Sequence, residues 1–231
     1  MTPLVFVPGM MCDARLFTPQ IAAFSHERAI HIASIGACDT IDGLAADLLM
    51  KAPPRFALAG LSMGGIVAME VLRQMPERVE RIALLDTNPL AERQEVKDAR
   101  EPQIIAAREG RLLQVMRDEM TPRYVVDGPQ KRRILHLCIQ MALDTGADIF
   151  IRQSRALQAR PDQSETLRRA KIPALVLCGA NDVLCPPERH RLMHDMIAGS
   201  HLEIIPQAGH LPTLEQPDIT NEALRRWMET P

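Results

Sequence analysis

Residues 55–65 read Arg55-Phe-Ala-Leu-Ala-Gly60-Leu-Ser62-Met-Gly64-Gly65. A short apolar run with strand character ends at Gly60, and a helical pattern begins just after Ser62. The G-x-S-x-G spacing is that of a sharp strand-to-helix turn, which lifts a serine hydroxyl above the edge of a sheet. Glycine two residues to either side suits such a turn, because the backbone is strained and Cβ atoms there would strike the neighbouring strand or helix. The helix expected from Gly65 to about Met75 points its N-terminus at Ser62, where free N–H groups and the helix dipole favour negative charge. A hydroxyl so placed is set up as a nucleophile.

Outward from this turn, strand-like runs recur at Leu4–Val7, Ala29–Ile35, Phe56–Ala59, Ile82–Leu85, Ala174–Cys178 and Leu202–Ile205. Most are continuously apolar rather than alternating, as expected of parallel strands covered on both faces. Helical patterns lie between them over about Ala14–Phe24, Ile41–Met50, Gly65–Met75, Glu188–Ile197 and Ile219–Met228. The order predicts an α/β fold, a doubly wound and mostly parallel sheet of about six strands.

One long break interrupts the alternation. From about Asn88 to Lys171 the only strand-like signal is a weak Tyr124-Val-Val126, and the rest reads as about four amphipathic helices punctuated by Gly110, Pro122, Gly128-Pro129, Gly146 and Pro161. Inserted after a strand end, where ligands meet open α/β sheets, this block is expected to sit as a lid over the site. The division predicted is therefore a core of 1–87 with 172–231, and a helical cap of 88–171.

Composition narrows the partners. The 231 residues carry a net charge of −2, which gives no electrostatic drive toward nucleic acid or an anionic membrane. No apolar run approaches the ~18 residues of a membrane span. The N-terminus lacks the basic stretch of a signal peptide. Cys12, Cys38, Cys138, Cys178 and Cys185 are odd in number, scattered and free of C-x-x-C pairs, as expected of reduced thiols in a cytoplasmic protein.

A serine needs a base to take its proton and a carboxylate to orient that base. The turn after 174–178, Gly179-Ala-Asn-Asp182, carries an acid. The turn after 202–205, Pro206-Gln-Ala-Gly209-His210, carries a histidine, so both open on the same sheet edge as Ser62. Asp86, also just past a strand, competes for the orienting role; Asp182 is preferred and Asp86 held in reserve. His190 and His194 stand four apart on one helix, but no third metal ligand is evident, and a solvated helix face is the expectation there. Backbone N–H groups aimed at the developing oxyanion are worth about 3–4 kcal/mol each. Met63, directly after Ser62, and Met10, in Val7-Pro8-Gly9-Met10, are the expected donors.

Gly60-Leu-Ser62-Met-Gly64-Gly65, Gly179-Ala-Asn-Asp182 with Pro186, and Gly209-His210 with Glu215-Gln-Pro217 resemble the three signature loops of the α/β-hydrolase superfamily. The resemblance spans nearly all of the chain outside the insert. It implies that family's fold, a Ser62–His210–Asp182 triad, and a helical cap between the sixth and seventh strands of the family's order. Two departures stand out. Pro8-Gly9 replaces the His-Gly that often precedes the first oxyanion donor, and the first two strands of the family's sheet have no counterpart.

The expected activity is cleavage of small carboxylic esters through an acyl-enzyme, with thioesters and lactones close behind, and no metal or organic cofactor. A lyase or C–C bond hydrolase using His210 as base, and a non-catalytic ligand-binding protein, are the alternatives. Thirteen methionines against seven aromatic residues suggest a pliable apolar pocket, with Met11, Met116, Met120, Cys138, Met141 and Phe150 as substrate contacts. No arginine pair stands out as an anion clamp, although Arg152, Arg155 and Arg160 are candidates to meet an acidic substrate or carrier. Beyond a small-molecule ester, no partner is expected except a second copy: a monomer or homodimer.

Overall fold

A computed structural model describes residues 1–230. Six strands form one parallel sheet: β1 (Leu4–Val7), β2 (Ile30–Ile32), β3 (Phe56–Leu61), β4 (Val79–Leu85), β5 (Ala174–Gly179) and β6 (His201–Ile205), in the order β2-β1-β3-β4-β5-β6. β1, β3 and β5 are buried at every residue, which is why they read as unbroken apolar runs. β2 and β6 take the edges, where half-burial tolerates His31, His201 and Glu203.

Side chains alternate between two cores. Val5, Val7, Leu58, Ile82, Leu84 and Val176 face one, covered by α2 (Ile41–Lys51), α3 (Met63–Gln74) and α9 (Pro187–Met196). Leu4, Phe6, Ala59, Leu85 and Leu177 face the other, closed by Phe17, Phe24, Leu224 and Trp227 around α1 (Thr18–Phe24) and α11 (Pro217–Glu229). The chain steps from β1 to β2 on one side and then to β3 on the other. That reversal opens a crevice at the carboxyl ends of β1 and β3, where open α/β sheets bind ligands. The Gly9–Met10 and Ser62–Met63 loops lie there.

Between β4 and β5 come α4 (Gln94–Arg108), α5 (Leu112–Gln114) running into a π-helical stretch (Val115–Met120), α6 (Lys131–Thr145), α7 (Ala147–Gln158) and α8 (Ser164–Arg169). α4 packs on α7, whereas α8 packs on α3 and α9 of the sheet layers. Two hydrogen bonds tie α7 to the sheet edge, from Arg152 Nε to Gly36 O at 2.9 Å and from Gln153 Nε2 to Ile35 O at 3.0 Å.

The elements differ from expectation at three places. The helix expected over 14–24 divides into a 3-10 turn (Ala14–Phe17), capped by Asp13, and α1, whose second residue is Pro19. Tyr124–Val126 is a turn, not a strand: the Tyr124 carbonyl and the Val126 N–H are taken by His210 and Glu215. A one-turn helix, α10 (Pro212–Glu215), precedes α11. Among the described residues, no single helix is long and apolar enough to cross a membrane.

Candidate active site

Ser62 sits between β3 and α3 with φ +55°, a left-handed conformation that costs a non-glycine residue about 1–3 kcal/mol. Several hydrogen bonds hold it. Its N–H donates to Leu85 O at 2.9 Å, and its carbonyl accepts from Thr87 Oγ1 at 2.7 Å and from the N–H groups of Gly65 and Ile66. Gly60 and Gly64 are required by close approach: a Cβ on Gly60 would strike the Gly64 carbonyl, and one on Gly64 the Val7 carbonyl.

Ser62 Oγ lies 2.9 Å from His210 Nε2, and His210 Nδ1 lies 2.8 Å from Asp182 Oδ2. A carboxylate only accepts, so Nδ1 carries the proton and Nε2 is left to accept from the serine hydroxyl. The other Asp182 oxygen accepts from Leu184 N at 2.8 Å and Cys185 N at 3.1 Å. Burial opposes the charge of Asp182, but His210 and these two N–H groups outweigh it and hold the carboxyl below its usual range.

Asp86 stands close by in the opposite state. Its Oδ1 accepts from Gly179 N at 2.9 Å, and its Oδ2 is buried with no partner among the described residues. Burial, then the charge of Asp182, push the Asp86 carboxyl well above the usual range. The structure thus puts Asp182, and not Asp86, on the imidazole.

The His210 loop is anchored by a residue that the signature motif contains but whose task only the structure reveals. Glu215 accepts from Gly209 N, Leu211 N and Val126 N at 2.9–3.0 Å, gripping the backbone on both sides of His210. The His210 N–H donates to Tyr124 O at 2.8 Å. Gln153, absent from the sequence reading, does the same for the β1 loop: buried on α7, it accepts from Met11 N at 2.9 Å. No local pattern distinguishes it from the other polar residues of that helix. Its signal is tertiary.

Met10 and Met63 both border the crevice, and neither N–H donates to another group among the described residues. A cavity of about 600 Å³ opens over them, over Ser62 and over His210. Of the expected substrate contacts only Met120 lies on its wall. Met11, Met116, Cys138, Met141 and Phe150 are buried in the two cores instead. The apolar stripe of an amphipathic helix seals onto its neighbours before it can face a pocket. At Met11, φ +57° and the bond to Gln153 turn the residue inward. The apolar wall comes from Leu90, Val96, Leu157, Val183 and Leu184.

The arginines also redistribute. Arg152 is spent on Gly36 O, and Arg155 on Glu101 and Gln158. Arg160 does line the cavity, donating Nε to Leu90 O at 3.0 Å and facing Glu92. Arg100 binds the same Glu92 through Nε at 2.6 Å and Nη2 at 2.9 Å. A pair of arginines therefore exists, across one glutamate. His190 departs from the solvated face expected for it: fully buried, it accepts from Thr87 N at 3.1 Å through Nε2, with Nδ1 facing Pro186 O. Burial pushes its imidazole down to about 4. The orientation leaves it neutral, holding the turn after Asp86.

The chain is similar to known proteins along almost its whole length. It is 24% identical over 244 residues to a pimeloyl-[acyl-carrier protein] methyl ester esterase of Pectobacterium carotovorum, covering 96% of this chain and 92% of that one. It is 26% identical over 180 residues to 3-oxoadipate enol-lactonase 2 of Acinetobacter baylyi, covering 76% and 64%. A malate-bound thermophilic esterase from Thermogutta terrifontis superposes with a TM-score of 0.90 at 27% identity, over 99% of this chain and 89% of that one. Residues 4–223 match the sequence profile of the alpha/beta hydrolase family, and with the sheet order and the Ser62 turn this makes the chain a member of that family.

Proposed function

We propose that this protein hydrolyses small carboxylic esters in two acyl-transfer steps. His210 Nε2 takes the hydroxyl proton as Ser62 Oγ attacks the ester carbonyl, and Asp182 holds the tautomer and stabilises the imidazolium. The oxyanion forms between the N–H groups of Met10 and Met63. His210 then hands its proton to the departing alcohol. A water activated by the same imidazole releases the acid and regenerates Ser62.

The observation that carries this reading is the unbroken relay from Ser62 through His210 to Asp182, at 2.9 and 2.8 Å. The esterase names of the relatives support it. The enol-lactonase relative supports cyclic esters as a second substrate form for the same chemistry. Residues 88–171 act as the lid in this reading, since Arg100, Met120 and Leu157 line the cavity from that side, with 1–87 and 172–231 as the catalytic core. Five free cysteines suit a reducing cytoplasm.

The test is hydrolysis of p-nitrophenyl acetate and butyrate together with labelling by a fluorophosphonate. Ser62→Ala is expected to abolish both, a loss of about 10⁵–10⁶ in kcat, while leaving thermal unfolding in place. Turnover retained by that variant would refute the assignment. Slow labelling of the unaltered protein would point instead to His210 acting alone as a base.

A further inference from the structure

The wall of the cavity facing the serine turn carries a charge imbalance. The Glu92 side chain is 2% exposed, and two guanidinium groups close on it, from Arg100 with its side chain 14% exposed and Arg160 with its side chain 11% exposed. Two positive charges against one negative leave a net +1 in a poorly solvated place. The rim adds Arg93, Arg123 and Arg189 against Glu95 and Glu119. In all, five arginines and three glutamates give the cavity +2 inside a chain whose net charge is −2.

The guanidinium groups have donors to spare. Arg100 spends Nε and Nη2 on Glu92, and its Nη1 has only the Met10 sulfur at 3.9 Å. Arg160 spends Nε on Leu90 O, its Nη1 stands 3.4 Å from Glu92, and its Nη2 has no partner among the described residues. Guanidinium is the side chain whose planar fork matches a carboxylate in two-point contact. The contact to Met10 also fixes where this happens. Arg100 sits one side chain from the backbone N–H proposed to receive the oxyanion, within the span of a short acyl chain.

We infer that the ester taken by this site carries a free carboxylate, bound by Arg100 and Arg160 across Glu92, so that the substrate class is the half-ester of a small dicarboxylic acid. The inference rests on the ester-hydrolase reading above. Glu92 keeps the two arginines in place while neutralising only one of them. The remaining charge selects an anionic tail and orients the ester carbonyl toward Ser62. A neutral ester fits the same apolar wall but leaves that charge without a counter-ion, which a poorly solvated site penalises.

Monomethyl adipate and methyl hexanoate share an acyl chain length and differ in the terminal carboxylate. Methanol release is expected to give kcat/KM at least about tenfold higher for the half-ester, the effect of one charge-assisted contact. The advantage should shrink as salt is raised. Arg160→Gln should remove most of it, because KM for the half-ester should rise several-fold more than KM for methyl hexanoate. Glu92→Gln should enlarge it. Adipate should inhibit hexanoate-ester cleavage by the unaltered protein, and hexanoate should not, a comparison that needs no variant to fold. Equal kcat/KM for the two esters, or an equal loss on both in Arg160→Gln, would overturn the inference and leave the esterase reading intact. Cleavage of neither ester would overturn the esterase reading; calorimetry of adipate against hexanoate on Ser62→Ala would then decide the anion site by itself.

Discussion

The two walls of the cavity hold their side chains in different ways. Along the carboxyl edge of the sheet, Ser62, Asp182 and His210 sit on short turns whose backbone is tied down. Leu85 O holds Ser62, Gly179 O accepts from Asp182 N, and Glu215 grips both neighbours of His210. On the other wall, Arg100 and Arg160 both pair with one side chain, Glu92; Arg160 lies far from it in sequence and has a single backbone bond besides, to Leu90 O. The first arrangement is rigid because strand ends and backbone hydrogen bonds fix it, as catalytic geometry requires. The second keeps part of its charge unpaired, as recognition requires. Substitutions on the first wall should therefore fall on kcat, and those on the second on KM.

The largest effect tests that division within the sheet edge itself, where two aspartates follow neighbouring strands in opposite states. Asp182→Asn should lower kcat by about 10⁴-fold, because the imidazole loses the partner that sets its tautomer. Asp86→Asn should change kcat by less than about threefold, since burial already pushes that carboxyl well above its usual range and an amide oxygen can still accept from Gly179 N. Comparable losses in the two variants would mean that Asp86 shares the orienting role. Glu215→Ala comes next. It strands three backbone N–H groups around His210 and should cost about 3 kcal/mol in urea unfolding, with kcat falling and KM held. Glu215→Gln, which keeps an oxygen acceptor, should recover part of the loss.

How far these walls can be read from sequence follows from the same contrast. The strands were legible because a buried parallel sheet leaves unbroken apolar runs, and the turns beyond β3, β5 and β6 announce themselves by glycine, proline and one reactive residue each. The spacing that put Ser62, Asp182 and His210 on one edge is strand order, which local pattern encodes. Met116 and Met141 were not legible as core residues, because an apolar face on a helix reads alike whether it meets a sheet or a ligand. Their burial depends on which helices α6 and the π-helical stretch meet. The pairing of Arg100 with Arg160 through Glu92 depends on how α4 folds back beside the end of α7, and nothing local reports that. His190 misled for a related reason. Beside His194 and several charges it reads as a wet face, yet the Thr87 N–H and the Pro186 carbonyl satisfy both its ring nitrogens inside the protein.

Gln153 joins α7 to the loops after β1 and β2, so its removal tests whether that helix braces the sheet edge. Gln153→Leu keeps the bulk but leaves the Met11 N–H and the Ile35 carbonyl unpaired, at a cost of about 2 kcal/mol. If the β1 loop depends on this brace, the Met10 N–H is displaced and kcat falls with KM unchanged. A variant that loses stability with kcat intact would make the β1 loop self-supporting and the brace purely structural.

The smallest effect is one of pH, and it sharpens the reading of the sheet edge as a wall whose turns are held by internal hydrogen bonds. An unfolded histidine protonates near 6.5, whereas burial lowers His190 to about 4. Between those values the unfolded chain binds more protons than the folded one, so this group's contribution is present above pH 6.5 and is lost as pH falls toward 4. From pH 7 to 5.5 the loss comes to about 1 kcal/mol. His190→Asn should be less stable at every pH, because Thr87 N–H loses its acceptor, yet its stability should fall about 1 kcal/mol less over the same interval. Urea unfolding at both pH values measures the difference. Parallel slopes in the two proteins would mean that the imidazole is solvated in solution, and the turn after Asp86 would then owe its shape to Leu177 O, Gly179 N and the Thr87 hydroxyl bond to Ser62 O.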